Sequence, residues 1–199
     1  TVITDYYKDY VCRHFKLNPL SIGVWGSGAD ISMFSPDKAR VSYLPDFLKG
    51  KFVLMQHGEI GYNRGALETV DAIKLVNNEK IALVFIGDGG AKEEILHKIK
   101  ALDLEKRVYF LPAIPYSEMP GCIGYCNCAI MAYPNIEYWN NNNPIKLFEY
   151  LAAGNPIIGI GPKDGDAAKI IEECRAGKMF ERTQPKEIEN FLAELINAK

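Results

Sequence analysis

Hydrophobic and polar positions fall into two alternating kinds of segment along most of the chain. Short, nearly uninterrupted apolar runs occur at residues 51–56, 81–87, 107–111, 128–132 and 156–160. Runs without period-two alternation are the pattern of strands buried on both faces of a parallel sheet. Between them apolar residues recur at helical spacing: Leu67, Val70 and Ile73, then Ile95, Ile99 and Leu102. A last amphipathic stretch at 185–198 carries Ile188, Phe191, Leu192 and Leu195. Strand and helix alternating five times predict an α/β fold, a Rossmann-like doubly wound parallel sheet.

The first fifty residues break that rhythm. Residues 4–15 predict a helix capped by Thr4 or Asp5, with Tyr6, Tyr7, Tyr10, Val11 and His14 on one side. A short strand at 21–25, a glycine-rich turn at 26–30 and a polar stretch with Pro36 and Pro45 follow. The expected organisation is residues 1–25 as the tail of a preceding N-terminal domain, 26–50 as a linker, and 51–199 as the α/β domain.

Composition narrows the partners. Hydrophobic residues make up 48% of the 199 and charged residues 24%, which excludes disorder. With 23 Lys+Arg against 25 Asp+Glu, the chain lacks the broad positive field that nucleic acid or an anionic membrane requires. No apolar run approaches the ~18 residues of a membrane span, and no signal-peptide pattern opens the sequence. Of five cysteines, Cys122, Cys126 and Cys128 cluster, but without paired CxxC spacing; they read as reduced core residues, not as a metal site.

In open α/β sheets ligands sit at the carboxyl ends of the strands. After the first strand comes His57-Gly58-Glu59-Ile60-Gly61-Tyr62-Asn63-Arg64-Gly65. Gly58 and Gly61 let backbone approach a ligand and Arg64 offers a fork to a phosphate, or else these are turn glycines and an exposed arginine. Gly87-Asp88-Gly89-Gly90 is neither a Walker loop nor GxGxxG and reads as a tight turn. The richest segment runs from Tyr133 to Glu149, where Asn143 as cap and Pro144 at the first position predict a helix stopping at Gly154. Lys146 then lies in the first turn, suited to an anion, with Glu149 on the same face. Glu149 could take a ribose diol, or the two could form a solvated pair. The loop at 161–166 could face ligand or be a generic turn. His57 borders the phosphate loop, His97 lies on a polar helix face, and no Ser/His/Asp or Cys/His arrangement emerges.

These residues resemble a known family. Gly28-Ala29-Asp30-Ile31-Ser32-Met33-Phe34-Ser35-Pro36 is similar to its GvDxxxFxP segment. Gly58 through Arg64-Gly65, Ile86-Gly87-Asp88-Gly89 and Val108–Phe110 follow in the family's order. Residues 144–157, PIKLFEYLAAGNPI, are similar to its PxKlfEYlAaGkPvi motif. The chain resembles the C-terminal, donor-binding half of a group 1 (family 4) retaining glycosyltransferase of the two-Rossmann-domain GT-B fold. The resemblance implies a nucleotide-diphospho-sugar donor of UDP, GDP or ADP type, no cofactor and no metal. It implies catalytic roles for Arg64, Lys146 and Glu149, the first two neutralising the leaving diphosphate and Glu149 binding ribose. Donor contacts would come from Gly58 and Gly61 of the phosphate loop, from the backbone around Tyr109, Phe110 and Leu111 to the base, and from Asn141, Asn143, Pro144 and Ile145 to phosphate and sugar.

The full-length enzyme would transfer a hexosyl group to a glycan or lipid-linked saccharide held by the missing N-terminal domain. It would be cytoplasmic, with peripheral association at the inner membrane surface, while this half alone would bind donor without turnover. Two departures stand out: Asn141 replaces the first glutamate of the family's E-x7-E pattern, and Glu59 replaces an arginine, leaving Arg64 without its usual partner. The alternatives are a sugar-nucleotide 2-epimerase of the same fold and a non-catalytic α/β binding module.

Overall fold

The computed structural model describes residues 1–36, 44–76, 78–134, 137–181 and 185–197. After helix α1 (Asp5–Phe15), strands and helices alternate: β1 (Phe52–Glu59), α2 (Ala66–Leu75), β2 (Ile81–Asp88), α3 (Lys92–Ala101), β3 (Val108–Leu111), α4 (Met119–Tyr125) and β4 (Cys128–Ala132). Then come α5 (Glu137–Asn140), α6 (Ile145–Ala152), β5 (Ile157–Ile160), α7 (Asp166–Glu173), β6 (Gly177–Phe180) and α8 (Pro185–Asn197). All six strands are parallel, in the order β3-β2-β1-β4-β5-β6. The order reverses between β1 and β4, the place where a doubly wound sheet opens a crevice.

Each face of the sheet carries its own core, which explains why the strands are apolar at successive positions. Leu54, Leu83 and Phe85 pack on one face with Val70, Ile73 and Ile95 of α2 and α3 and Leu192 of α8. Val53, Met55, Val84 and Ile86 pack on the other with Ile123 of α4, Leu147 and Tyr150 of α6 and Ile171 of α7. Phe34 and Leu48, from the segment expected to be a linker, are fully buried in this second core. Residues 37–43 of that segment lie outside the described residues.

Several expectations need correction. A sixth strand, β6, follows α7; its four residues, Gly-Lys-Met-Phe, are too few and too mixed to register as an apolar run. The strand expected at 21–25 is a single bridge between Val24 and Val2. Helix α6 starts one residue late: Pro144 occupies the cap position with extended backbone, so Asn143 lies outside the helix and caps nothing. Thr4 does cap α1, accepting from Tyr7 N–H, and its hydroxyl donates to the Asn141 carbonyl at 3.2 Å.

The decisive departure is the length of β1. It was expected to end at residue 56 but pairs with β2 through Glu59, opposite Asp88. With β4 it pairs only at Leu54 and Met55. The strand therefore projects beyond β4, and residues 56–59 present an edge to the crevice.

Candidate functional site

That projecting edge carries unpaired backbone groups, and α6 supplies the partner. Lys146 Nζ donates to the His57 carbonyl at 2.5 Å. The contact needs a glycine next in the chain: a Cβ on Gly58 would lie 3.3 Å from Lys146 Nζ, and Gly58 has φ +97°. Lys146 is a half-buried ammonium in the crevice wall. Burial lowers its pKa to about 8, the charge of Arg64 pushes the same way, and Glu149 and Glu59 oppose. A cation held so is desolvated in advance and has donors left for an anion.

One turn along α6, Glu149 is buried, so the solvated Lys–Glu pair open from sequence does not form. Its carboxylate is instead held by two groups from other elements. Tyr116 Oη donates to Oε1 at 2.8 Å, and His57 Nε2 lies 3.3 Å from Oε2 without the alignment of a full hydrogen bond. Burial pushes the Glu149 pKa up, but His57, Tyr116 and the Lys146 charge outweigh it and hold the carboxyl ionised, below its ordinary range. Burial lowers the His57 pKa, with Lys146 adding to it against Glu149, and keeps the imidazole neutral. Burial, the Glu149 bond and nearby carboxylate charge push the Tyr116 hydroxyl up to about 12.

Arg64 is fixed from three sides. Its carbonyl accepts from Gln56 Nε2 at 2.8 Å, and Gly65, at φ +64°, turns the chain into α2 immediately after it. Its guanidinium lies over the Trp139 ring, 4.4 Å from the centroid, and Trp139 stacks on Tyr133 at 4.4 Å. Its Nη2 donates to Glu59, so the residue that departs from the family pattern is itself Arg64's partner. The carboxyl of Glu59 is held below its ordinary pKa by Arg64. Glu59, Gly61, Arg64 and Trp139 help line a cavity of about 360 Å³ at the carboxyl end of the sheet. A larger cavity, about 730 Å³, lies at the amino ends of β5 and β6 beside Pro156 and Gly177, away from these groups.

The structure thus brings together Gly58, Gly61, Arg64, Lys146 and Glu149 around the crevice. Pro144 and the exposed Ile145 form the uncapped start of α6 beside them, and the Asn143 Oδ1 is buried without a hydrogen-bond partner. The Tyr109 hydroxyl donates to the Lys106 carbonyl at 2.5 Å and its ring meets Phe47, while Phe110 stacks on Phe85; Leu111 ends β3 half-buried. Tyr116, His57, Trp139 and Glu59 were not among the residues picked from sequence as binding donor. His57 had a signal in its place at a strand end, and Glu59 in its departure from the family pattern.

The remaining motifs resolve as structure. Cβ atoms on Gly87 and Gly89 would strike the Gly58 and Ile60 backbone, so that turn lets two strand ends approach. Likewise, an added Cβ on Gly165 would approach the Asn140 carbonyl to 3.0 Å. Cys122, Cys126 and Cys128 are buried, as is Cys12, while Cys174 is exposed. Among the described residues no three His, Cys, Asp or Glu side chains are grouped as a metal site, and no helix is long and apolar enough to cross a membrane.

Comparison with known proteins agrees with this fold. The Pseudomonas aeruginosa protein named Probable glycosyltransferase WbjE is 26% identical over 175 residues, 87% of this chain and 43% of its own length. Alr3699/HepE of Anabaena, solved with UDP and glucose, superposes with a TM-score of 0.78 at 18% identity, covering 98% of this chain and 52% of its own. The C-terminal domain of a group 1 family glycosyl transferase (LpcC) from Francisella tularensis gives a TM-score of 0.66 at 21% identity, covering 85% of this chain and 88% of its own. The chain thus spans about half the length of the first two relatives. The model of the family described as glycosyl transferases group 1 matches residues 45–199, and the chain belongs to that family.

Proposed function

We propose that this chain is the donor-binding half of a glycosyltransferase and that its crevice takes a nucleoside-diphosphate sugar. The observation that carries the reading is the placement of two fixed cations, Arg64 and Lys146, beside a buried, ionised carboxylate, Glu149. A diphosphate needs the first pair and a ribose diol the third. Alr3699/HepE has been solved with UDP and with UDP-glucose, which supports a nucleotide sugar as the ligand class.

In this reading Arg64 and Lys146 stabilise the charge that develops on the departing diphosphate. They are preorganised, so little reorganisation is required as the bond breaks. Lys146 also has the uncapped N–H groups at the start of α6 beside it. Asn141 and Asn143 would contact phosphate and sugar. The hexosyl group passes with retention to a glycan or lipid-linked acceptor held by a further domain, at the cytoplasmic face of a membrane. No cofactor is required, and the chain alone binds donor without transferring it.

Calorimetric titration with UDP, GDP, ADP and CMP, on the chain and on Glu149→Ala, tests this. The expected result is saturable binding of one nucleotide near about 100 µM, weakened in the variant. Absence of binding to all four at millimolar concentration would overturn it for this chain.

A further inference from the structure

Glu59 stands in the path of a diphosphate. Its carboxylate is bonded to Arg64 and rests on Gly61, where an added Cβ would be 3.3 Å from Oε1; the Lys146 charge also reaches it. Both cations that face the crevice therefore already share an anion belonging to the chain. The two ends of the pair differ in freedom. Arg64 is held by Trp139 and through its carbonyl by Gln56, whereas the Glu59 side chain is 64% exposed at the tip of β1. An incoming phosphate can displace the carboxylate from Arg64, but the carboxylate stays within a few bonds of the strand end and close to whatever replaces it.

We propose that Glu59 ranks the ligands of this site by charge, disfavouring a free nucleoside diphosphate relative to the nucleoside-diphosphate sugar and so promoting release of the spent nucleotide. The inference rests on the donor-binding reading above and adds the selectivity of the site. A diphosphate esterified at both ends carries a charge of about −2, whereas the freed terminal phosphate, with its second pKa near 6, brings a nucleoside diphosphate to about −3 at neutral pH. Repulsion from a fixed carboxylate scales with that charge, so the cost falls harder on the product than on the donor. Neutral hydroxyls of the sugar incur no such cost and can donate to the same carboxylate. The position is half in solvent, so the effect is screened by salt.

The test is titration of the chain and of Glu59→Gln with matched pairs, UDP and UDP-glucose, GDP and GDP-mannose, ADP and ADP-glucose, at low and at physiological ionic strength. Inorganic pyrophosphate serves as a probe of charge without a base. Thermal melting checks that the variant folds. The expected result is that Glu59→Gln tightens the free diphosphate and pyrophosphate by up to about fivefold, the span of an exposed ion pair, and the sugar-bearing partner by less. The gain should shrink as salt rises. Equal gains for both members of a pair, no gain, or weaker binding of the diphosphate would overturn the inference while leaving the donor site standing. If the unaltered chain binds none of these ligands, the donor reading fails and this inference fails with it.

Discussion

His57 Nε2 lies 3.3 Å from Glu149 Oε2, with both side chains sealed between β1 and α6. The imidazole stays neutral because burial costs its cation more than the carboxylate returns. Its folded pKa is thus below the ordinary 6.5 of the unfolded chain. As pH falls through 6.5 the unfolded state takes up a proton that the folded state refuses, so stability drops until the folded pKa is reached. Stability is therefore expected to fall as pH drops below 6.5. Urea unfolding of the chain and of His57→Gln across that range checks it; the variant should show a flatter profile, and a wild-type midpoint that rises toward acid would contradict the assignment. Glu149 acts in a separate window. Its pKa is depressed, so its contribution is lost only when pH falls below the ordinary carboxylate range, through its folded value.

Lys146 is a binding residue whose burial costs stability. The unfolded chain keeps this proton up to its ordinary pKa of 10.5, but the folded chain gives it up at about 8. Below about pH 8 the folded state carries the whole cost, and stability recovers as pH rises from there toward 10.5. Lys146→Met should therefore stabilise the fold at neutral pH by about 1 kcal/mol, after allowing for the His57 carbonyl left without its donor. The same change should weaken nucleotide binding by about tenfold or more, since a charge-assisted contact is lost. In the unaltered chain nucleotide affinity should fall as pH rises past about 8, and Lys146→Arg should remove that fall. A melting temperature lower in the methionine variant than in the parent would argue against a strained cation.

How much of this was legible follows from what each residue depends on. Strand and helix placement was readable because it rests on local periodicity, and Lys146 and Glu149 were readable because one helix carries both. What they bond to was not. The partner of Lys146 is a backbone carbonyl of β1, exposed only because β1 outruns its pairing with β4, and nothing in the run 51–59 announces that. Tyr116 reaches Glu149 from a turn 33 positions earlier, on the far side of β4 in sequence. Glu59 was read as a missing arginine, a subtraction, when in the folded chain it is itself a partner of Arg64. β6 went unread because four residues with one lysine and one glycine carry no pattern of their own; it forms because β5 offers an edge.

Gly65 connects the fold to the site. It sits at φ +64° between Arg64 and the first residue of α2, and a Cβ added there would lie 2.3 Å from the Ala132 Cβ at the end of β4. Gly65→Ala must therefore both adopt left-handed backbone and push β4 away from the loop. The expected destabilisation is about 2–4 kcal/mol, larger than either effect alone. Urea unfolding measures it directly. A loss under about 0.5 kcal/mol would mean that the loop can re-form without the close approach, and Arg64 would then not be held as described.

The Trp139 ring lies 4.4 Å from the centre of the Arg64 guanidinium and stacks on Tyr133. Glu59 competes for the same guanidinium from the solvent side, so the ring is the contact that keeps Arg64 turned toward the crevice when the carboxylate is displaced. Trp139→Leu should weaken nucleotide binding about two- to fivefold, the range of a partly exposed cation–π contact. Packing loss alone could also lower affinity, which is why the informative measurement is a double-mutant cycle with Arg64→Lys. An ammonium lacks the planar stacking surface and the fork, so the tryptophan should matter less in that background, with a coupling of about 0.5–1 kcal/mol. Strict additivity of the two changes would place Trp139 in the packing of the β4–α6 connection and leave the orientation of Arg64 to Glu59 alone.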